Sequence, residues 1–166
     1  MPRERKKREF EQRVVEIARV TRVVKGGKRM RFRALVVIGN QRGRIGMGLK
    51  KGTDVSEAIA KAVRAAEKSM MTVPLVNGTI PHRISSKFKG AVVMLKPAQE
   101  GVGVIAGGSV RPVLELAGVH NIVSKSMGSS NKIANVRATI LALTSLKRTT
   151  IVTSANAVDH TEKPKA

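Results

Sequence analysis

Cysteine, tryptophan and tyrosine are all absent from this 166-residue chain, and its only aromatic residues are Phe10, Phe32 and Phe88. Without cysteine there is no disulfide framework, no thiolate metal site and no thiol nucleophile. An aromatic content of 2% argues against gripping single strands by stacking their bases on aromatic platforms. Acids are scarce too, at 11 against 32 Lys and Arg. Asp54 is placed to cap a helix and Asp159 lies near the end of the chain, which leaves no carboxylate pair or Ser/His/Asp set for catalysis. His82, His120 and His160 are scattered without metal-ligand spacing, so no metal and no cofactor is expected. No apolar run approaches a membrane span, and the first ten residues hold no signal-type apolar core. Glu4, Glu9 and Glu11 are foreign to an organellar leader. A cytoplasmic, non-membrane protein is the expectation.

What is present is positive charge. A net +21 repels itself in a compact chain unless a polyanion neutralises it. Between Glu16 and Asp54 there is no acid at all, while Arg19, Arg22, Lys25, Lys28, Arg29, Arg31, Arg33, Arg42, Arg44, Lys50 and Lys51 crowd the same stretch. A solvated face mixes both signs, so this one calls for an anionic partner. A membrane surface fits poorly, because the charge falls on strands with no apolar face beside it. With so few aromatics, phosphate contacts and the shape of a folded RNA are the better match.

Hydrophobic periodicity places those charges. Residues 13–24 and 30–38 read as β-branched or alternating strands around Lys25-Gly26-Gly27-Lys28, a hairpin tip whose glycines let backbone approach phosphate. The period of two sets Arg29, Arg31 and Arg33 on one face, with Phe32 and Ala34 toward the core. Asn40-Gln-Arg-Gly43 is a turn, and Arg44–Leu49 a third strand whose glycines suggest bending or close backbone approach. Residues 54–72 read as an amphipathic helix capped by Asp54 with Glu57 in capping-box position. Its apolar stripe is Val55, Ile59, Ala62, Val63, Ala66 and Met70, and Lys61, Arg64 and Lys68 share another face.

Pro74 opens a second unit. Thr79–Ser86 and Ala91–Lys96 read as strands joined by Lys87-Phe-Lys-Gly90. A glycine loop, Glu100–Gly108, follows. Ser109 is expected to cap a short helix over Val110–Ala117 that Gly118 ends. Asn121–Met127 is a further strand. A helix opens at Ser129 or Ser130 and runs to about Leu146, with Ile133, Val136, Ile140, Leu141 and Thr144 on one face. The expected fold class is therefore α+β, β-β-β-α followed by β-β-α-β-α. Its parts are a basic arm over 1–11, an RNA-binding domain over 12–73, an α/β domain over 74–148 and a mobile tail over 149–166.

Gly101-Val-Gly103-Val-Ile-Ala106 formally fits a dinucleotide fingerprint. However, Lys96–Glu100 separates it from its strand, and Asn121 stands where a ribose-binding acid belongs. A structural loop, or a helix N-terminus facing RNA phosphate, is the better reading. Asn77-Gly-Thr79 is a formal glycosylation sequon without a secretion signal.

Taken in order, several of these pieces resemble the bacterial small-subunit ribosomal protein S-five family, from about Arg13 to Leu146. They are Val24-Lys-Gly-Gly27, Phe32–Val37, Gly43–Gly46, Ser56–Ile59, Asn77–His82, Leu95–Ala98, Glu100–Gly108, Val113–Gly118, and Gly128-Ser129 with Asn135–Thr139. The resemblance implies an N-terminal domain similar to the double-stranded-RNA-binding fold and a C-terminal domain with a left-handed β-α-β crossover. It also implies binding to small-subunit rRNA, in a cytoplasmic ribosome or, as the alternative, in the ribosome of a bacterial-type organelle, with the tip Lys25, Gly26, Gly27 and Lys28 reaching it. Ribosomal proteins S-four and S-eight would be neighbours, and mRNA would pass nearby. Gly103, Gly107, Gly108 and Arg111 fall where the family meets S-four and influences decoding accuracy. Neither a small-molecule substrate nor homo-oligomerisation is implied. Leu49-Lys-Lys-Gly-Thr53 and the tail from Thr149 depart from the family pattern, which puts contacts made by such a tail in doubt. Two rival readings remain at this point: a small-molecule kinase using the glycine loop, and a free RNA chaperone outside the ribosome.

Overall fold

The computed structural model describes residues 10–147. Residues 1–9 of the expected arm, Arg148 and the tail over 149–166 lie outside these described residues. Phe10 and Glu11, at the end of the expected arm, are ordered parts of the first unit, Phe10 packing against its core and Glu11 opening its first strand. β-Branched residues carry β1 (Glu11–Val24) into an antiparallel hairpin with β2 (Gly27–Gly39), and β3 (Arg44–Gly52) pairs antiparallel with β2. Helix α1 (Val55–Lys68) follows, and β4 (Met71–Thr72) closes a sheet of order β1-β2-β3-β4.

The helix ends earlier than its periodicity suggests, because Met71 pairs with Ile45 on the sheet edge and Ser69 caps the last turn. The Ser69 hydroxyl also donates to the Met47 carbonyl (2.9 Å), tying the helix end to β3. The buried stripe of α1 is Ala58, Ala62 and Ala66, whereas Val55, Ile59, Val63 and Met70 are only half-buried. The reason lies in β3. A Cβ on Gly46, Gly48 or Gly52 would collide with the backbone of Ala66, Ala62 and Ala58 in turn. A ladder of glycines thus faces a ladder of alanines, and strand and helix approach backbone to backbone. The glycines expected to mark bending or close approach mark close approach.

Asp54 occupies the N-cap position, but its side chain makes no capping bond. Glu57 reaches back instead, accepting from the Thr53 amide (2.7 Å) and hydroxyl (2.6 Å) and from the Lys61 ammonium (2.6 Å). The Lys61 contact first, and the Thr53 hydroxyl and amide next, hold the Glu57 carboxyl down to about 2 from an ordinary 4.5. A carboxyl lowered on folding stabilises the fold above its unfolded value, and that contribution fades as pH falls through the folded one. Urea midpoints should therefore drop between about pH 4.5 and 2 by an amount that Glu57→Gln removes. Parallel curves for the two proteins across that window would show that the contact adds nothing.

The second sheet is built from β5 (Ile84–Phe88), β6 (Ala91–Pro97), β7 (Val104–Ile105) and β8 (Ile122–Gly128), in the order β5-β6-β8-β7. Helix α2 (Arg111–Ala117) connects β7 to its parallel neighbour β8, and α3 (Lys132–Thr144) packs on β5 and β6. Strand β7 lies inside the glycine loop, too short at two residues to show in a hydrophobic pattern. Strand β5 begins at Ile84 rather than Thr79. Asn77 and Gly78 make a tight turn with positive φ, and the Thr79 hydroxyl donates inward to the Asn121 carbonyl (2.6 Å). Ser109 does not cap α2; the amides of Val110 and Arg111 both bond to the Gly107 carbonyl (2.9 Å each). Gly118 ends the helix in the left-handed region as expected.

Asn131 caps α3, its side chain accepting from the Ile133 amide (3.0 Å), while the Ser129 hydroxyl accepts from the Asn131 amide. The buried side of α3 holds Ala134, Ala138, Thr139, Ala142 and Leu143 as well as Val136 and Ile140, whereas Leu141 is exposed. This helix is apolar on most sides, so its pattern did not fix which face turns inward.

The two sheets share a core. In β2, Ala34, Val36 and Ile38 pack under α1, and alternate residues Leu35 and Val37 join the second unit's core with Leu116, Val119 and Ile122. The buried half of β2 is therefore covered on both faces. Gln41 and Gly43 donate backbone hydrogen bonds to the Leu116 and Ala117 carbonyls (3.0 and 2.8 Å), and Arg13 pairs with Glu115 (2.8 Å).

Candidate nucleic-acid interface

Beyond the shared core the β1–β2 hairpin projects alone, with every residue from Thr21 to Arg31 exposed. Its turn is two residues, Lys25 and Gly26, and Gly26 sits at φ +86°, where glycine carries no steric cost. Gly27 and Lys28 already belong to β2. No heavy atom lies within 4 Å of where a Cβ would stand on Gly26 or Gly27, so the tip is open to a partner.

Register decides which charges meet. Arg22 is opposite Arg29, Val20 opposite Arg31, Ala18 opposite Arg33, and Arg33 in turn opposite Lys51. Directly opposed residues share a face, so these basic side chains continue the face that carries Leu35 and Val37 lower down. Arg22, Arg29, Arg31 and Lys51 line one cleft of about 260 Å³. Arg33 sits half-buried at the base of this face. Among the described residues none of these five cations has an acid within ion-pair distance.

Other residues expected at the site lie elsewhere. Arg19 is opposite Phe32 and Lys50 opposite Ala34, so both, with Lys28, point to the α1 face of the sheet. Arg42 and Arg44 sit at the far end of β2, roughly 40 Å from the tip at about 3.3 Å per residue. Arg44 there lies over the Phe10 ring at 5.6 Å, and Phe10 packs against the α1 core. Those two arginines are not part of the hairpin surface, because the chain reverses between β2 and β3.

Gly103, Gly107, Gly108 and Arg111 gather along the outer edge formed by β7 and the start of α2. The Gly103 amide donates to the Asn121 side chain (3.1 Å), and the Gly107 carbonyl ties down Arg111. Asn121, standing where a nucleotide site needs an acid, is used to brace the loop. Sequence reasoning left Lys61, Arg64 and Lys68 unassigned, although their helical spacing was visible. They line a shallow depression with Lys50, and that juxtaposition depends on how β3 packs on α1.

Two family comparisons bear on this arrangement. Residues 10–74 match the family described as ribosomal protein S5, N-terminal domain, and residues 86–155 match ribosomal protein S5, C-terminal domain. With the two matches in chain order over most of its length, and two α+β units where they fall, the chain belongs to the ribosomal protein S5 family, a structural component of the small ribosomal subunit and not an enzyme.

Proposed function

We propose that the protein holds small-subunit rRNA through the exposed hairpin face formed by Arg22, Arg29, Arg31 and Lys51, with Lys25 to Lys28 at its tip. The observation that carries this reading is a single-sign cleft with no acid partner among the described residues. Arginine forks fix phosphate geometry as well as charge, so several such contacts position RNA helices and release their counterions. The glycine-loop edge with Arg111 is the surface we assign to S-four, and through it to decoding accuracy. S-eight is a second neighbour, and the basic face lies toward the path by which mRNA enters. The setting is the small subunit of a cytoplasmic ribosome. The kinase reading of the glycine loop is overturned by membership of a non-enzymatic family.

Co-sedimentation of the tagged protein with ribosomal subunits, at low and at high salt, tests the proposal. Stoichiometric recovery with the small subunit at both salts is expected. Loss at high salt, or spread over every RNA-containing fraction, would favour a free RNA chaperone instead.

A further inference from the structure

Lys50 and Lys51 are adjacent in β3 and therefore point to opposite faces of the sheet. Lys51 joins the hairpin cleft, and Lys50 joins Lys61, Arg64 and Lys68 of α1 around a separate depression of about 310 Å³. The helix residues are spaced by three and four, so they form one strip along the flank of α1 nearest β3. Of the four, only Lys61 is paired, with Glu57. Glu67 lines the groove beside Phe10, where Arg64 also reaches, but the two side chains are not within ion-pair distance. Lys50, Arg64 and Lys68 have no acid within ion-pair distance among the described residues.

The geometry points to a second phosphate-binding surface on α1 and Lys50, back to back with the hairpin surface, so that this one sheet bridges two separate RNA backbones. The inference rests on the RNA-binding reading of the hairpin and adds a second RNA segment as the occupant of the opposite side. Each surface offers only a few point charges, so either alone binds weakly and tolerates many sequences. Two surfaces on one rigid sheet would hold two RNA helices at a fixed separation.

The test uses the full-length protein with two unlinked RNA duplexes, one carrying a donor and one an acceptor fluorophore, at moderate salt. The wild type is expected to bring the two together and give energy transfer. The triple variant Lys50→Ala, Arg64→Ala, Lys68→Ala should still bind a single duplex through the hairpin with that duplex's salt slope unchanged, while transfer falls at least about fivefold. A control that removes equal charge from the second unit, Lys87→Ala, Lys96→Ala, Lys125→Ala, should keep the transfer. Restoring Arg64 as lysine should recover part of it. If the helix triple variant bridges as well as the wild type, the second surface is wrong and the hairpin reading stands. If transfer is lost equally in the control, general charge is responsible and the second surface is again refuted. If the wild type binds neither duplex, the hairpin reading itself has failed.

Discussion

Replacing Gly48 with valine is expected to cost about 4 kcal/mol or more, a large part of the roughly 5–15 kcal/mol that holds an ordinary domain folded. A Cβ at this position would land on the Ala62 carbonyl oxygen, and the Ala66 amide nitrogen on the next turn of the same helix is only 3.0 Å away. These obstacles are backbone atoms, so no side-chain rotation relieves them. Helix α1 would have to move outward, and it cannot move at one point alone. Gly46 against Ala66 and Gly52 against Ala58 fix the same spacing on either side. Overpacking in a core that relaxes typically costs 1–3 kcal/mol, and this one has no room to relax. The contrast is Gly26→Ala at the hairpin tip. There a new Cβ meets nothing within 4 Å, and only the positive φ opposes it, at roughly 1–2 kcal/mol. Urea melts followed by helical circular dichroism would check both. A Gly48→Val protein with near-normal stability would mean that α1 does not sit on β3 as described.

How far these features were legible depended on whether one element or two were needed to see them. The β1–β2 hairpin and its arginine face follow from alternation within one strand, since the period of two fixes the faces as soon as the strand is recognised. The αL stop at Gly118 is equally local. The caps were less so: Ser69, Asn131 and the reach of Glu57 to Thr53 depend on which of several neighbouring polar residues is geometrically placed. The face of α3 was legible in part: Ile133, Val136 and Ile140 turn to the core, whereas Leu141 and Thr144 do not, because a helix that is apolar on most sides offers little contrast. Strand β7 is two residues long and exists through its pairing with β8. The buried half of β2, Ala34 to Ile38, is an unbroken apolar run, and only the docking of the second unit shows why Leu35 and Val37 are apolar as well. Arg42 and Arg44 were grouped with the tip because they are close in sequence, whereas the β2–β3 reversal separates them in space. Lys50 and Lys61 are the converse case, eleven positions apart in number and side by side once β3 carries α1.

Removing four hairpin charges at once, Arg22→Ala, Arg29→Ala, Arg31→Ala and Lys51→Ala, is expected to weaken binding to a folded rRNA fragment by about two to three orders of magnitude near 0.1 M salt. Each phosphate contact releases counterions with a slope contribution of about 0.9, so the dependence of log affinity on log salt should flatten by about 3 to 4. The free protein should respond the other way. Arg22 and Arg29 are directly opposed in the hairpin, and like charges so placed repel. All four side chains are exposed, so truncating them removes repulsion without opening the core. Without RNA, the variant should melt no lower than the wild type, and added salt should stabilise it less. This pairing of outcomes separates lost contacts from lost fold, because an unfolded variant would lose affinity and stability together. An unchanged salt slope would show that this face does not meet phosphate. The opposed arginines would then be a cost to the fold with no anion to offset it.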